Sequence, residues 1–407
     1  MDDVESAFRA AHGSAVATLT RIFGDITLAE DAVQDAFVAA VDRWPRDGVP
    51  DNPAGWIVIT ARNRAIDVVR RDRRGRQLTE QIATDPLRPS AARPESELVR
   101  DDQLRLIFTC CHPALGAEHQ VALTLRLIAG LTVAEVADAF LVTEEAMAKR
   151  LVRAKYKIKA ASIPYGVPHG ADLPRRVRTV LSVLYLIYST GADHGERRAL
   201  RAEAIRLTRV LVALMPEVPE AAGLLALMLL SEARMPARGD AAHVVLLKDQ
   251  DRSLWDRPLV AEGQALVLAC MRRRRLGPLQ LQAAIHALHC AASRYEETDW
   301  AAIVRFYDRL VAVLPTPVVA LNRAIAVAET RGPVTGLALL DGVADELDGY
   351  HLLHAARGSM LERLGRPREA AEAYDRAVAL ARTETESTFL SRRRAELVAS
   401  DPGALDG

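Results

Sequence analysis

The sequence predicts an all-α protein, and three observations carry that expectation. Aromatic residues make up 5% of the 407 while Ala and Leu abound, a composition that favours helices over sandwiches. Apolar residues recur at three- and four-residue steps along most of the chain. Proline, glycine and capping residues punctuate those runs at helical lengths. The length suits two or three domains. Lys+Arg and Asp+Glu number 53 each, so a nucleic-acid site must be argued from local charge clusters and not from net charge. Cys110, Cys111, Cys270 and Cys290 are too few and too scattered for a disulfide framework and suit a reducing cytosol. The acidic Met1–Asp2–Asp3 start lacks a signal-peptide pattern, and no run of about 18 uncharged apolar residues occurs. The expectation is a cytoplasmic protein without a membrane segment.

Residues 4–24 predict a first helix with Val4, Phe8, Ala11, Ala15, Leu19 and Ile22 on a sloping apolar face, ended by Gly24. Thr27 with Glu30 reads as a capping box opening the second helix. Its core stripe is Val33, Ala36, Phe37, Ala40, Val41 and Trp44. Glu30, Asp31, Gln34, Asp35 and Asp42 lie off that stripe as an acidic flank, which is either solvated or partner-binding. Trp44–Pro53, rich in Pro, Gly and Asp, reads as a loop. Asn52 as N-cap and Pro53 at the first helical position open a third helix to about Arg74. Trp56, Ile59, Ile66 and Val69 are available for its packing. Arg62, Arg64, Arg70, Arg71, Arg73, Arg74 and Arg76 stand there against only Asp67 and Asp72. A basic helix end after an aromatic-bearing loop suits nucleic acid, with cations on phosphates and flat groups on bases. Residues 77–102, with Pro86, Pro89 and Pro94, read as a linker. Helical pattern resumes at Gln103, breaks near Pro113 and returns over 118–129.

Thr132–Lys159 is a helix-turn-helix written in caps, spacing and charge. Thr132 and Glu135 form a capping box, and Val133, Val136, Ala137 and Phe140 give a short helix one apolar face. Leu141 and Val142 make the turn, Thr143 caps again, and Glu144 and Glu145 suit the helix dipole. Met147, Leu151, Ala154 and Ile158 form one buried stripe. Lys149, Arg150, Arg153, Lys155, Lys157 and Lys159 occupy the other faces. Such geometry places a second helix in a major groove. Residues 162–173 read as another linker, and 174–400 as helix after helix. A 34-residue shift aligns Pro333 with Pro367, Leu340 with Tyr374, Asp341 with Asp375, Ala324 with Gly358 and Gly336 with Ala370. That is the tetratricopeptide (TPR) period.

The first 160 residues resemble RNA polymerase sigma factors of the extracytoplasmic-function (ECF) type in the sigma-70 family. Leu28–Phe37, then Asn52–Ile57 leading into Ala61–Asp67, resemble region 2 of that family, and the helix-turn-helix resembles region 4. The second half resembles the ECF subgroup with a TPR-like extension, through Asp249–Asp256, Glu297–Trp300, Pro317–Arg323 and Gly349–His354. The resemblance implies region 2 over 1–76, region 4 over 103–161 and a regulatory, protein-binding TPR-like domain over 174–400. It implies that core RNA polymerase is met by Asp31, Gln34, Asp35 and Phe37. It implies that the −10 element of promoter DNA is met by Trp56, Arg62, Asn63, Arg64, Asp67, Arg70 and Arg71, with loop residues 46–52 holding a flipped base. The −35 element would fall to Thr143, Glu145, Lys149, Arg150, Arg153 and Lys157, with Lys155 and Lys157 on phosphates. It further implies a small DGPF/YCII-related protein as partner.

No catalytic residue, cofactor or metal is expected. Cys110-Cys111-His112 with His119, and His286, His289 and Cys290, match no zinc spacing and read as packing. Arg272–Arg275 reads as a solvated helix end. The rival readings are a stand-alone helix-turn-helix regulator with a helical sensor domain, and an enzyme housed in the helical half. The latter would need convergent ionisable groups.

Overall fold

A computed structural model describes residues 2–72, 95–192, 198–239, 244–273, 276–381 and 383–400. Nineteen α-helices and no strand occur among the described residues, in keeping with the all-α expectation. They form two compact units, Met1–Leu214 and Met215–Gly407. No helix among these residues is long and apolar enough to cross a membrane.

The first unit holds α1 (Asp2–Phe23), α2 (Ile26–Asp47), α3 (Pro53–Asp72) and α4 (Glu95–Cys110). Next come α5 (Ala117–Leu123), running into a π-helical turn over Thr124–Ile128, then α6 (Val133–Phe140), α7 (Glu144–Ala160), α8 (Asp172–Ala192) and α9 (Arg198–Leu214). Helix α1 is central, touching α2, α3, α4 and the π turn. It is therefore buried on more than the one face its pattern predicts: His12, Val16, Thr18 and Thr20 are enclosed beside Ala11, Ala15 and Leu19. Gly13 permits the closest approach, since a Cβ there would stand 2.6 Å from the Ile128 carbonyl oxygen.

Helix α2 is capped by Asp25, which accepts from the amides of Thr27 at 2.8 Å and Leu28 at 3.1 Å, so the Thr27–Glu30 capping box does not form. The helix runs through Pro45 to Asp47 before Gly48, at φ 85°, turns the chain, which shortens the expected 44–53 loop. Asn52 caps α3 as read, accepting from the Gly55 amide at 2.9 Å. Helix α4 begins at Glu95, so residues 95–102 are helix and not linker. The rest of that linker, together with Arg73, Arg74 and Arg76, lies outside the described residues.

The stretch 162–173 is packed and not a free linker. Ile163 is buried, and the Tyr165 hydroxyl donates to the Ala17 carbonyl at 2.7 Å. Beyond it, Val180 and Leu184 of α8 and Leu207 and Leu211 of α9 meet Ile107, Cys111, Thr124 and Ile128 around a small apolar gap. Arg176 donates to the Phe108 carbonyl at 2.5 Å. The boundary expected at 174 thus falls at 214/215, because α8 and α9 complete the core of α4 and α5.

The second unit holds α10 (Pro219–Glu232), α11 (Arg257–Met271), α12 (Pro278–Ala291), α13 (Trp300–Val313) and α14 (Pro317–Arg331). After these come α15 (Pro333–Asp341), α16 (Ala344–Leu347), α17 (His351–Arg363), α18 (Pro367–Leu380) and α19 (Glu384–Ser400). Chain neighbours pack on one another through successive apolar clusters. Pro333 and Pro367 each open a helix, while Leu340 and Tyr374, Gly336 and Ala370, and Ala324 and Gly358 are buried in pairs. The 249–256 motif is structural: Asp256 caps α11, and Arg252 lies 4.8 Å over Trp255 while donating to the His289 and Ala292 carbonyls at the end of α12. Asp299 caps α13 in the same manner. His286 is half-buried with Nδ1 3.3 Å from the Ser231 hydroxyl, and Cys110 and Cys111 are core residues.

Candidate nucleic-acid interface

The helix-turn-helix forms as its caps dictate. The Glu135 amide donates to Thr132 Oγ1 at 3.1 Å, and the Thr132 amide donates to Glu135 Oε2 at 2.7 Å. Leu141, at φ 54°, closes α6 in the left-handed region. The Thr143 hydroxyl then accepts from the Ala146 amide at 3.2 Å. Met147, Leu151, Ala154 and Ile158 are all buried, so the orientation of α7 about its axis is set. That rotation exposes Glu145, Lys149, Arg153 and Lys157. Lys149 reaches Glu145 at 2.6 Å, a surface pair of small energetic weight. Two basic residues do not point outward. Arg150 turns to Glu118 at 3.1 Å and lies 5.2 Å over the Phe140 ring, which braces α7 against α5 and α6. Lys155, expected at a phosphate, is instead held inside the unit by Glu30 at 2.7 Å. The outward strip also carries Val152 and Tyr156, which the basic spacing alone did not single out.

On α3 the outward strip comprises Ile59, Asn63, Asp67 and Arg70, with Arg64 and Arg71 beside it. Arg62 is half-buried. Trp56 is also half-buried and stands edge-on to Trp44 with centroids 5.6 Å apart, which fixes the indole next to loop 48–52. Arg46 folds back on its own helix, donating through Nε to the Asp42 carbonyl at 3.0 Å. On α2, Asp31 and Asp35 are exposed and Gln34 half-exposed, but Phe37 is only 5% exposed and stacks on His12. A contact with an outside protein through Phe37 is therefore corrected. The apolar groups offered on that face are Val38 and Val41, the latter having been assigned to the core stripe.

The family model for Sigma-70 region 2 matches residues 7–75, the span of α1–α3. The model of a family of unknown function (DUF6596) matches residues 176–271. The uncharacterized protein R00370 of Rhizobium meliloti (strain 1021) is 43% identical over 412 residues, 99% of this chain and 97% of that protein. The probable ECF RNA polymerase sigma factor SigI of Mycobacterium tuberculosis is 27% identical over 169 residues, covering 41% of this chain and 58% of SigI. Residues 7–75 thus match Sigma-70 region 2, and R00370 is a relative along the whole chain.

The helices that match region 2 are joined to α7 by a buried ion group. Glu30, 3% exposed, accepts from Arg126 Nε at 2.6 Å through one oxygen and from Lys155 Nζ at 2.7 Å through the other. Burial opposes ionisation of Glu30, yet Lys155 and Arg126 together outweigh it and hold its pKa below the usual value. Arg126 also donates to the Leu131 carbonyl at 2.7 Å. Nearby, burial, with the Arg126 charge adding to it, pushes His12 down to about 4. A second tie runs from Arg21 of α1 to the buried Asp102 of α4 at 2.8 Å.

Proposed function

We propose that the chain is an alternative sigma factor of the ECF type, binding core RNA polymerase and directing promoter-specific transcription initiation, with no catalysis of its own. The observation that carries this reading is the occurrence, in a chain whose residues 7–75 match Sigma-70 region 2, of two exposed polar strips on α3 and α7, each set by caps and a buried stripe. On this reading Asp31, Gln34 and Asp35, with Val38 and Val41 in place of Phe37, take the polymerase. Trp56, Arg62, Asn63, Arg64, Asp67, Arg70 and Arg71, beside loop 48–52, take the −10 element. Glu145, Lys149, Arg153 and Lys157 take the −35 element from α7, with Thr143 and Arg150 positioning that helix. The second unit is read as a TPR-like regulator that docks a partner protein, for which a small DGPF/YCII-related protein is the first to try, and the site of action is the cytoplasm.

The test mixes the purified chain with core polymerase on a library of promoters. Start sites that depend on the protein and weaken with Lys149→Ala or Arg153→Ala support the reading. A protein that binds duplex DNA but neither joins core polymerase nor starts transcription is a stand-alone regulator.

A further inference from the structure

Val152 and Tyr156 are 64% and 72% exposed on α7, at the edge of an open cleft whose far side is Gly24–Thr27. Steps of four, three and four place Glu145, Lys149, Val152 and Tyr156 on a single strip, opposite the buried Met147–Ile158 stripe. Arg153 and Lys157 flank it on one side and Lys159 on the other, all exposed. Isolated exposed apolar residues are ordinary. Here, though, the pair lies in the middle of a cationic face on a helix whose other apolar side chains are spent on the core. A β-branched valine gives such a helix no help through propensity. Cations around an apolar strip complement the major groove, whose walls are phosphates and whose floor carries thymine methyl groups.

We propose that Val152 determines base choice in the −35 element by packing on a thymine C5-methyl, and that Tyr156 packs on the sugar–phosphate wall and donates its hydroxyl to a phosphate. This rests on the reading of α7 as the −35 helix and assigns its specificity. The rise of a helix separates the two roles. From Glu145, Val152 lies about 10 Å along the axis and Tyr156 about 16 Å. A recognition helix seated with its N-terminal turns on the bases carries Tyr156 about 6 Å further from them than Val152, toward the sugar–phosphate wall. Both side chains are mostly exposed and stand outside the buried Met147–Ile158 stripe that seats α7, so their replacement leaves its fold in place.

The experiment uses full-length protein with core polymerase on a promoter it selects from a random library. Each −35 thymine is replaced in turn by deoxyuridine, which removes only the methyl group. Wild type is expected to lose about four-fold in promoter binding at one position, the transfer value of a single methyl group. Val152→Ala is expected to bind thymine and uracil promoters equally, while Tyr156→Phe weakens binding to every promoter alike. A selected element without thymine, a thymine-to-uracil loss that persists undiminished in Val152→Ala, or no such loss on a promoter weakened by Lys149→Ala overturns the proposal. If Lys149→Ala and Arg153→Ala also leave promoter binding unchanged, the −35 reading of α7 has failed and takes the proposal with it.

Discussion

Glu30 puts a full negative charge inside the first unit, where its two oxygens are each met by one cation. Attraction in such surroundings offsets desolvation only while every member is present. Glu30→Gln leaves Arg126 and Lys155 buried against a neutral amide, and a loss of about 3–5 kcal/mol in unfolding free energy is expected by urea titration. His12 sets an acid limit of similar origin. Its folded pKa of about 4 lies below the ordinary histidine value of 6.5, so the folded state favours the neutral ring. The stabilisation is complete above about pH 6.5 and is lost as pH falls toward 4, by about 3 kcal/mol over that window. Glu30, whose pKa is also lowered, weakens in the same direction as acid protonates it. The urea midpoint at pH 7 and pH 5 should differ more in wild type than in His12→Leu.

At the level of elements, Gly13 decides how closely α1 lies on the π turn. Gly13→Ala drives a Cβ into the Ile128 carbonyl, and a loss of about 1–3 kcal/mol is expected, read as a lower thermal midpoint of the first unit. What was legible in the sequence follows the range of the interaction. Thr132 with Glu135, Thr143, and Asn52 before Pro53 signal their helices within three residues, and all three caps form. The stripe from Met147 to Ile158 was legible for the same reason, since a helix repeats locally. Glu30 was not legible, because its partners stand 96 and 125 residues away and its spacing from Thr27 mimics a capping box. Periodicity places Phe37 in the core stripe, where it lies, and its polymerase role comes only from the resemblance; Val41, given to the same stripe, instead faces out toward the helix end. Ordinary Pro and Gly turns also hid the boundary near residue 214, since a turn within a core looks like one between cores.

For the molecule as a whole, the boundary makes a prediction about where the chain can be cut. A chain ending at residue 165 strips Val180, Leu184, Leu207 and Leu211 from Ile107, Cys111 and Ile128, leaving an apolar face open to water. It is expected to aggregate, whereas one ending at 214 keeps that core closed and should melt cooperatively as a monomer in calorimetry. The ion group at Glu30 has one more consequence, for reach. A compact unit of 214 residues has a radius of gyration of about 17 Å and measures about 45 Å across. Elements named −10 and −35 are centred about 25 base pairs apart, about 85 Å along the duplex. As folded, the unit is a ruler half as long as the interval assigned to it. Residues 73–94 join α3 to α4 with a fully extended reach of at most about 80 Å. For this protein to act on a promoter, Lys155 must exchange Glu30 for solvent or phosphate. On the proposed reading, the clasp that steadies the free protein also opposes its use, since α3 and α7 have to part before polymerase and promoter can take them.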